Sequence, residues 1–362
     1  MIIHEITVSG FRNLHKLTLK ADTSTNIFYG ANGSGKTNLL ESIFVLCLAR
    51  SQRGAKDRDM VHVAGDTYRV AGTATVDGQL REMTVAYQQG GRKKITIDGV
   101  TARASELFAN FCLVSAGPED SAIVSGSPSE RRGFLDIYLS QLSARHLSRL
   151  TKYQQILAQK NAALRDALDP EPFNELLIGV GTKIMVERTE FVKQIAILAA
   201  NYYATVAVGR TFSVSYAPSV TLPEGVSGPE EIATAFRRRI QAVAHREEVL
   251  QSSQVGPHRD ELVLEIDGLP ARTCGSQGER RSAVLALKLA VYEMMKQRRR
   301  VKPVLLLDEV FAELDDARTD GLIDAFGSLG QVFLTTAGRP PKRLAQSARS
   351  FQITDGTVSD AT

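Results

Sequence analysis

Gly30-Ala31-Asn32-Gly33-Ser34-Gly35-Lys36-Thr37 is a complete G-x-x-x-x-G-K-[ST] phosphate-binding loop. An apolar run, Ile27-Phe28-Tyr29, precedes it, and Asn38-Leu39-Leu40-Glu41-Ser42-Ile43-Phe44 follows with apolar residues at helical spacing. The motif has meaning only in such a strand–loop–helix context. Its glycines let backbone N–H groups turn inward around phosphates, and the new helix adds the positive end of its dipole. Lys36 can then reach the β- and γ-phosphates, and the Thr37 hydroxyl can bind Mg²⁺. The expected nucleotide-binding run is therefore Gly30 through Asn38.

Working outward, Val304-Leu305-Leu306-Leu307-Asp308-Glu309 is an unbroken apolar run ending in two carboxylates. Such a run suits a buried parallel strand that delivers acids to the carboxyl edge of a sheet. Beside a phosphate loop, Asp308 is the expected Mg²⁺ partner and Glu309 the expected base that aligns water, with Lys36 as its catalytic companion. Ser276-Gln277-Gly278-Glu279 enters an Ala/Leu-rich helix through Met295. Ser-x-x-Glu is a capping box, which suffices as a helix start. A hydroxyl, bare amides and a helix dipole also make a second phosphate site, as in ABC-type ATPases, where the loop of one subunit closes on nucleotide held by another. Phe311-Ala312-Glu313-Leu314-Asp315 stands where those ATPases carry a D-loop at the dimer seam, so Asp315 is assigned there.

Between these landmarks the chain changes character twice. Strands are predicted at Ile2–Val8, Leu14–Leu19 and Asn26–Tyr29, then an antiparallel meander at Tyr68–Val76, Glu82–Tyr87 and Lys93–Ile97 with Asp-Gly and Gly-Gly turns. Ser127 with Pro128 and Glu130 predicts a capped helix running to about Ala167, followed by helices over Phe173–Tyr203 and Pro229–Gln251. A short strand at Thr211–Tyr216 interrupts this block. Strands return at Leu262–Ile266, and Gln331–Thr336 is the last core strand expected. The lobes are read as residues 1–115, a helical arm over 116–254, and 255–362. His258 and Arg259 are either a buried, paired duo or phosphate-facing, and spacing does not decide.

The 362 residues are 43% hydrophobic and carry a net charge of +4. That allows a large core and an anionic partner without identifying one. Arg237-Arg238-Arg239 and Arg298-Arg299-Arg300 read as solvated faces, without the aromatic interleaving of single-strand binders. Cys47, Cys112 and Cys274 form no C-x-x-C and read as reduced and buried. Without an apolar run near 18 residues or a signal-peptide pattern, a soluble cytoplasmic protein is expected, with no membrane association.

Phe11-Arg12-Asn13, Gly30–Leu40, Arg50–Arg53, Pro118-Glu119-Asp120, Gly126–Asp136, Gly256–Asp260, Ser276–Ala290 and Leu305–Asp315 run in order from end to end. In these the chain resembles the RecF family, bacterial DNA replication and repair proteins of the structural-maintenance-of-chromosomes/ABC ATPase group. Gly-Pro-His-Arg-Asp together with Ser-Gln-Gly ahead of Leu-Ala-Leu-Lys-Leu-Ala is not generic ABC sequence. The resemblance implies an α/β fold: an ABC-type ATPase head with a mixed sheet and an inserted, mainly helical second lobe. It also implies an ATP-dependent homodimer, weak DNA-stimulated ATPase activity using ATP and Mg²⁺, and binding to double-stranded or gapped DNA. Cooperation with RecR and RecO in loading RecA at single-strand gaps follows from the same resemblance. The chain departs from the family pattern at Gln52, Ala116-Gly117 and Glu279-Arg280. Thr335-Thr336 supplies no switch histidine, and the rival reading, the ATPase subunit of an ABC-type membrane transporter, needs one. Lys36 and Ser276 also lie 240 residues apart (276 − 36), with a whole helical lobe between them.

Overall fold

Alternation of apolar and polar residues builds the first sheet, and a close approach at Gly72 sets how near the phosphate-loop helix lies to it. The computed structural model describes residues 1–207, 209–221, 228–311, 329–338, 340, 342–346 and 348–360. In chain order the strands are β1 Ile2–Phe11, β2 Leu14–Lys20, β3 Thr25–Tyr29, β4 Thr67–Val76, β5 Gln79–Gln88, β6 Lys94–Ile97, β7 Val100–Thr101 and β8 Leu113–Ala116. They continue as β9 Phe212–Ala217, β10 Glu261–Ile266, β11 Leu269–Pro270, β12 Val304–Asp308, β13 Val332–Thr336, β14 Arg349–Thr354 and β15 Thr357–Asp360.

Two units divide the chain: Met1–Ser121 with Val291–Thr362, and Ala122–Ala290. In the first, β2-β1-β4-β5-β6-β7 form an antiparallel sheet, and β15-β14-β3-β13-β12-β8 form a mixed one. The second sheet is parallel from β14 through β8, with β15 antiparallel at its edge. Helix Lys36–Leu48 touches both sheets and is buried almost all round, from Leu39 to Leu48. A helix apolar on every side is what a slot between two sheets demands. Its close seat depends on Gly72, where a Cβ would stand 2.5 Å from the Glu5 carbonyl oxygen and 2.8 Å from Leu46 Cδ2. The one acid in its buried stretch, Glu41, is fully buried and receives Arg12 at 3.0 and 3.1 Å and Ser51 Oγ at 2.5 Å. Without such partners a buried carboxylate costs several kcal/mol.

Parallel pairing puts the carboxyl ends of β3, β13, β12 and β8 on one edge. From that edge leave the phosphate loop after Tyr29, the carboxylates at Asp308, and the Gly117 turn. Gly117 meets Asp308 so closely that a Cβ there would lie 3.0 Å from the Asp308 Cβ.

The second unit holds helices Pro128–Leu142, Ala144–Arg165, Glu171–Val206 and Pro229–Leu250, the first part of Gln277–Arg299, and the small sheet β11-β10-β9. Ile178, Met185, Ile232, Phe236 and Ile240 form one core cluster. Beside it Arg188, 1% exposed, reaches Asp136 at 2.7 Å, the Pro257 carbonyl at 2.6 Å and Asp260 at 3.4 Å. Tyr216 OH and Ser219 N–H also donate to Asp260. Burial pushes the Asp260 carboxyl up, and the Arg188 guanidinium opposes that shift.

Several expectations are corrected. The helix expected from Ser127 to Ala167 breaks at Ser143, which has extended backbone and caps the next helix by accepting from His146 N–H at 3.2 Å. Ser127 does not form the expected box, because its hydroxyl bonds Ser129 instead. Gln331–Thr336 is not the last core strand: β14 pairs in parallel with β3, with Phe351 stacked on Phe28. Only Phe351 and Ile353 are buried there, too faint a pattern to read. β8 and helix Ala104–Asn110 were also unforeseen. The expected boundary at residue 255 falls inside the second unit, since β10 pairs with β9 and the first unit resumes at Val291. Cys274 is exposed, whereas Cys47 and Cys112 are buried. Among the described residues no helix is long and apolar enough to cross a membrane.

His258 belongs to this second core and not to a phosphate site. Its Nε2 lies 3.1 Å from the Ser253 carbonyl, which can only accept, so Nε2 carries the proton. Nδ1 then accepts from Tyr153 OH at 2.7 Å. Arg259 donates to the same Ser253 carbonyl at 3.0 and 3.1 Å. Burial, helped by Arg259 and Arg132, lowers His258 to about 4. The unfolded histidine titrates near 6.5. Between these values the unfolded chain binds the extra proton, so stability falls as pH drops from about 6.5 to 4, by up to roughly 3 kcal/mol. In urea titrations across that window, His258→Gln should flatten the pH dependence by about this amount. An unchanged slope would show that His258 is not held neutral.

Candidate functional site

Lys36 opens the helix Lys36–Leu48 behind Gly35, which caps it at φ 110°. No L-residue sits there easily, and a Cβ would also press on Leu14 Cδ2 at 2.9 Å and Asn13 Oδ1 at 3.0 Å. The first amides of a helix have no partner within it, so those of Lys36, Thr37 and Asn38 face the loop's concavity. The Lys36 ammonium is nearly buried. It donates to the Gly30 and Ala31 carbonyls at 2.9 and 3.0 Å and lies 3.3 Å from Glu309 Oε1.

Asp308, at the end of β12, is buried, and its Oδ1 accepts from Thr335 Oγ1 at 2.6 Å and from Thr37 Oγ1 at 3.0 Å. Burial pushes its carboxyl up, against the two hydroxyls, and the neighbouring Glu309 adds to the rise. Glu309 itself takes a left-handed backbone, φ 49°, and its N–H donates to Thr335 Oγ1 at 3.0 Å. For a non-glycine residue that conformation carries strain and clusters at functional sites. A cavity of about 350 Å³ is lined by Asn32, Gly33, Gly35, Lys36, Thr37, Asn38, Arg53 and Glu309. A larger one, about 840 Å³, opens at the amino ends of β3 and β13 and contains none of the motif residues, so the chemistry assigns the smaller.

The structure thus brings Lys36 to Glu309 and Thr37 to Asp308 at one end of the sheet. Hydroxyl and carboxylate oxygens from Thr37 and Asp308 are the hard donors that suit Mg²⁺ arriving with a phosphate ligand. No cluster of three or more His, Cys, Asp or Glu among the described residues could hold a metal by itself. Ser276, Gln277, Gly278 and Glu279 lie in the second unit. There the capping box forms, with Ser276 N–H donating to Glu279 Oε2 at 2.8 Å and Glu279 N–H to Ser276 Oγ at 3.3 Å. Ser276 and Gln277 remain exposed, and Arg210 pairs with Glu279 at 3.1 Å. Asp315 lies outside the described residues.

Some participants carried no assigned role in the sequence reading. Arg53 reaches Glu119 at 2.9 Å, Asn38 at 3.4 Å and Glu41 at 3.8 Å. Burial raises the Glu119 carboxyl against the pull of Arg53. Thr335 could have been found as a polar residue ending an otherwise apolar strand, Val332–Thr336. Asn13 had no local signal beyond its place in a turn.

Comparison with known proteins agrees with this geometry. The family described as RecF/RecN/SMC N terminal domain matches residues 2–357. The DNA replication and repair protein RecF of Synechococcus sp. (strain JA-2-3B'a(2-13)) is 36% identical over 346 residues, 93% of this chain and 91% of its own. That of Lachnoclostridium phytofermentans is 33% identical, covering 99% of both. A solved structure of the recombination mediator protein RecF-ATP in the RecFOR pathway superposes with TM-score 0.93 at 29% identity, over 100% of this chain and 98% of that one. An Smc head bound to the C-winged helix domain of ScpA, 16% identical with TM-score 0.58, covers 99% of this chain and 96% of that one and shares the fold alone. With that fold, an α/β ABC-type head with a mixed sheet, and with relatives matched along nearly its whole length, this chain belongs to the RecF family of DNA replication and repair proteins.

Proposed function

We propose that the chain is an ATP-dependent DNA-binding protein of replication and recombinational repair. On this reading it dimerises on ATP, hydrolyses it slowly, and helps load RecA at single-strand gaps with RecO and RecR. The observation that carries it is the meeting of Lys36, Thr37, Asp308 and Glu309 around one cavity in a chain so similar to the RecF-ATP structure. A transporter subunit is not favoured, because the relatives matched end to end are replication and repair proteins.

In this mechanism the loop amides and Lys36 hold the phosphates. Thr37 and Asp308 would hold Mg²⁺, which would supply positive charge against the phosphoryl oxygens. Glu309 orients the attacking water and takes its proton, and its left-handed backbone turns the carboxylate toward Lys36. Lys36→Arg should weaken nucleotide binding, since a planar guanidinium replaces a compact ammonium in a tight pocket. Glu309→Gln should bind ATP normally, lose most hydrolysis and accumulate the ATP-bound dimer. Hydrolysis by Glu309→Gln at the parent rate would remove Glu309 as the base.

No groove-reading motif is evident, so contacts should be to the phosphate backbone. Log affinity for duplex DNA should fall linearly with log salt, by about 0.9 per neutralised phosphate. Fluorescence anisotropy over a salt series measures this, and a flat profile or strong base preference would contradict it.

Ser276 supplies the test of the composite site. If Ser276–Glu279 and Asp315 act on nucleotide held by a second subunit, Ser276→Arg should bind ATP like the parent yet fail to dimerise and hydrolyse. As a cap alone, Ser276 is worth about 1 kcal/mol of helix stability. ATP affinity and solution mass measured on the same variant separate the two. A folded Ser276→Arg protein that dimerises with ATP would end the composite-site reading.

A further inference from the structure

Two successive carbonyls of the phosphate loop are each held by a donor from outside it. Asn13 Nδ2, from the β1–β2 turn, donates to the Gly33 carbonyl at 3.0 Å. Gly356 N–H, from the β14–β15 turn, donates to the Ser34 carbonyl at 2.9 Å. A planar trans peptide points its C=O and its N–H in opposite directions. Holding the Gly33 carbonyl therefore orients the Ser34 N–H, which closes the loop onto the Ala31 carbonyl at 3.2 Å. Holding the Ser34 carbonyl turns the Gly35 N–H away from the hairpin.

The three segments interlock without room for side chains. A Cβ on Gly356 would stand 2.4 Å from the Asn13 carbonyl oxygen, and one on Gly30 would stand 2.2 Å from that of Ile353. The direction of the Asn13 amide is itself dictated. Arginine has donors only, so Arg53 Nη1, 3.4 Å away, must face Asn38 Oδ1. That leaves Asn38 Nδ2 to donate to Asn13 Oδ1 at 2.8 Å, and Asn13 Nδ2 to donate to Gly33.

We infer that Asn13 is a positioning residue for nucleotide binding, acting with the Asp355-Gly356 turn to set the peptide planes that present the loop's amides to phosphates. The inference rests on the loop being the ATP site proposed above. Asn13 is exposed, so its replacement leaves the core intact. The test compares the full chain with Asn13→Ala and Asn13→Asp by ATP titration, steady-state hydrolysis and hydrogen–deuterium exchange of residues 30–38 without nucleotide. Both variants should bind ATP about tenfold more weakly, with KM raised and kcat little changed, the size of one lost hydrogen bond. In both, the loop amides should exchange faster. Asp keeps the acceptor for Asn38 but donates nothing to Gly33, so parent-like binding by Asn13→Asp would overturn the role of the donor. Weaker ATP binding with unchanged exchange would make Asn13 a direct contact and overturn the inference, as would unchanged affinity in both variants. A parent chain that binds no ATP would instead sink the nucleotide reading itself, and this inference with it.

Discussion

A carboxylate at the end of a strand buried along its whole length must find donors or be neutralised. Asp308 is that carboxylate, and its Oδ1 is met by hydroxyls from two different places, Thr37 on the phosphate-loop helix and Thr335 on β13. Leaving a buried acceptor unpaired costs about 1–3 kcal/mol, so these bonds tie the helix start and the two strands into one register. The sheet order requires this arrangement. β13 lies between β3 and β12, so the loop after β3 and the acid after β12 are bridged across the strand between them. Thr335 serves that bridge twice, since its hydroxyl donates to Asp308 and accepts from the Glu309 N–H. The left-handed turn at Glu309, a strain on the order of 1–3 kcal/mol, is thereby held where it swings the carboxylate to Lys36.

A second set of contacts ties the β1–β2 turn to the phosphate-loop helix. Glu41, fully buried on the helix, draws Arg12 from the β1–β2 turn, and it also faces Arg53 and Ser51. Arg12 and Asn13 are consecutive, so anchoring one to the helix fixes the other against the loop. Exchanging Glu41 for an apolar residue would take a partner from Arg12 and Arg53 in one step, which makes this a coupled cluster and not a sum of pairs.

What could be read from the chain followed the strength of local signals. The phosphate loop, the β12 acids and the antiparallel meander announce themselves through unbroken or alternating runs that a short window captures. β14 and β15 do not, since Phe351 and Ile353 are the only buried side chains of β14 and its partner β3 lies 323 residues earlier (351 − 28). The four motif residues of the site were legible for the same reason that they are chemistry-bearing: each has a fixed place relative to a strand end. Asn13, Glu41, Arg53 and Thr335 were not, because their meaning lies in distances between segments far apart in sequence. Ser127 shows the converse failure, where a correct capping pattern lost to a neighbouring hydroxyl.

Specific sequence is not always a catalytic site, and Gly256-Pro257-His258-Arg259-Asp260 is the instance here. Gly256 adopts φ 127° beneath Tyr153, whose hydroxyl would stand 2.3 Å from a Cβ there. The Pro257 carbonyl receives Arg188, His258 receives Tyr153 OH, Arg259 reaches back to Ser253, and Asp260 gathers Arg188, Tyr216 and Ser219. The pentapeptide thus fastens the return of the chain within the second unit, with Arg259 itself exposed. The consequence reaches the next segment. β10 leaves that knot directly, pairs with β9 and β11, and leads through the short helix Ala271–Cys274 to the exposed Ser276. The buried ionic cluster at Asp260 and the exposed Ser276 are thus joined through β10, β11 and that short helix, all within the second unit.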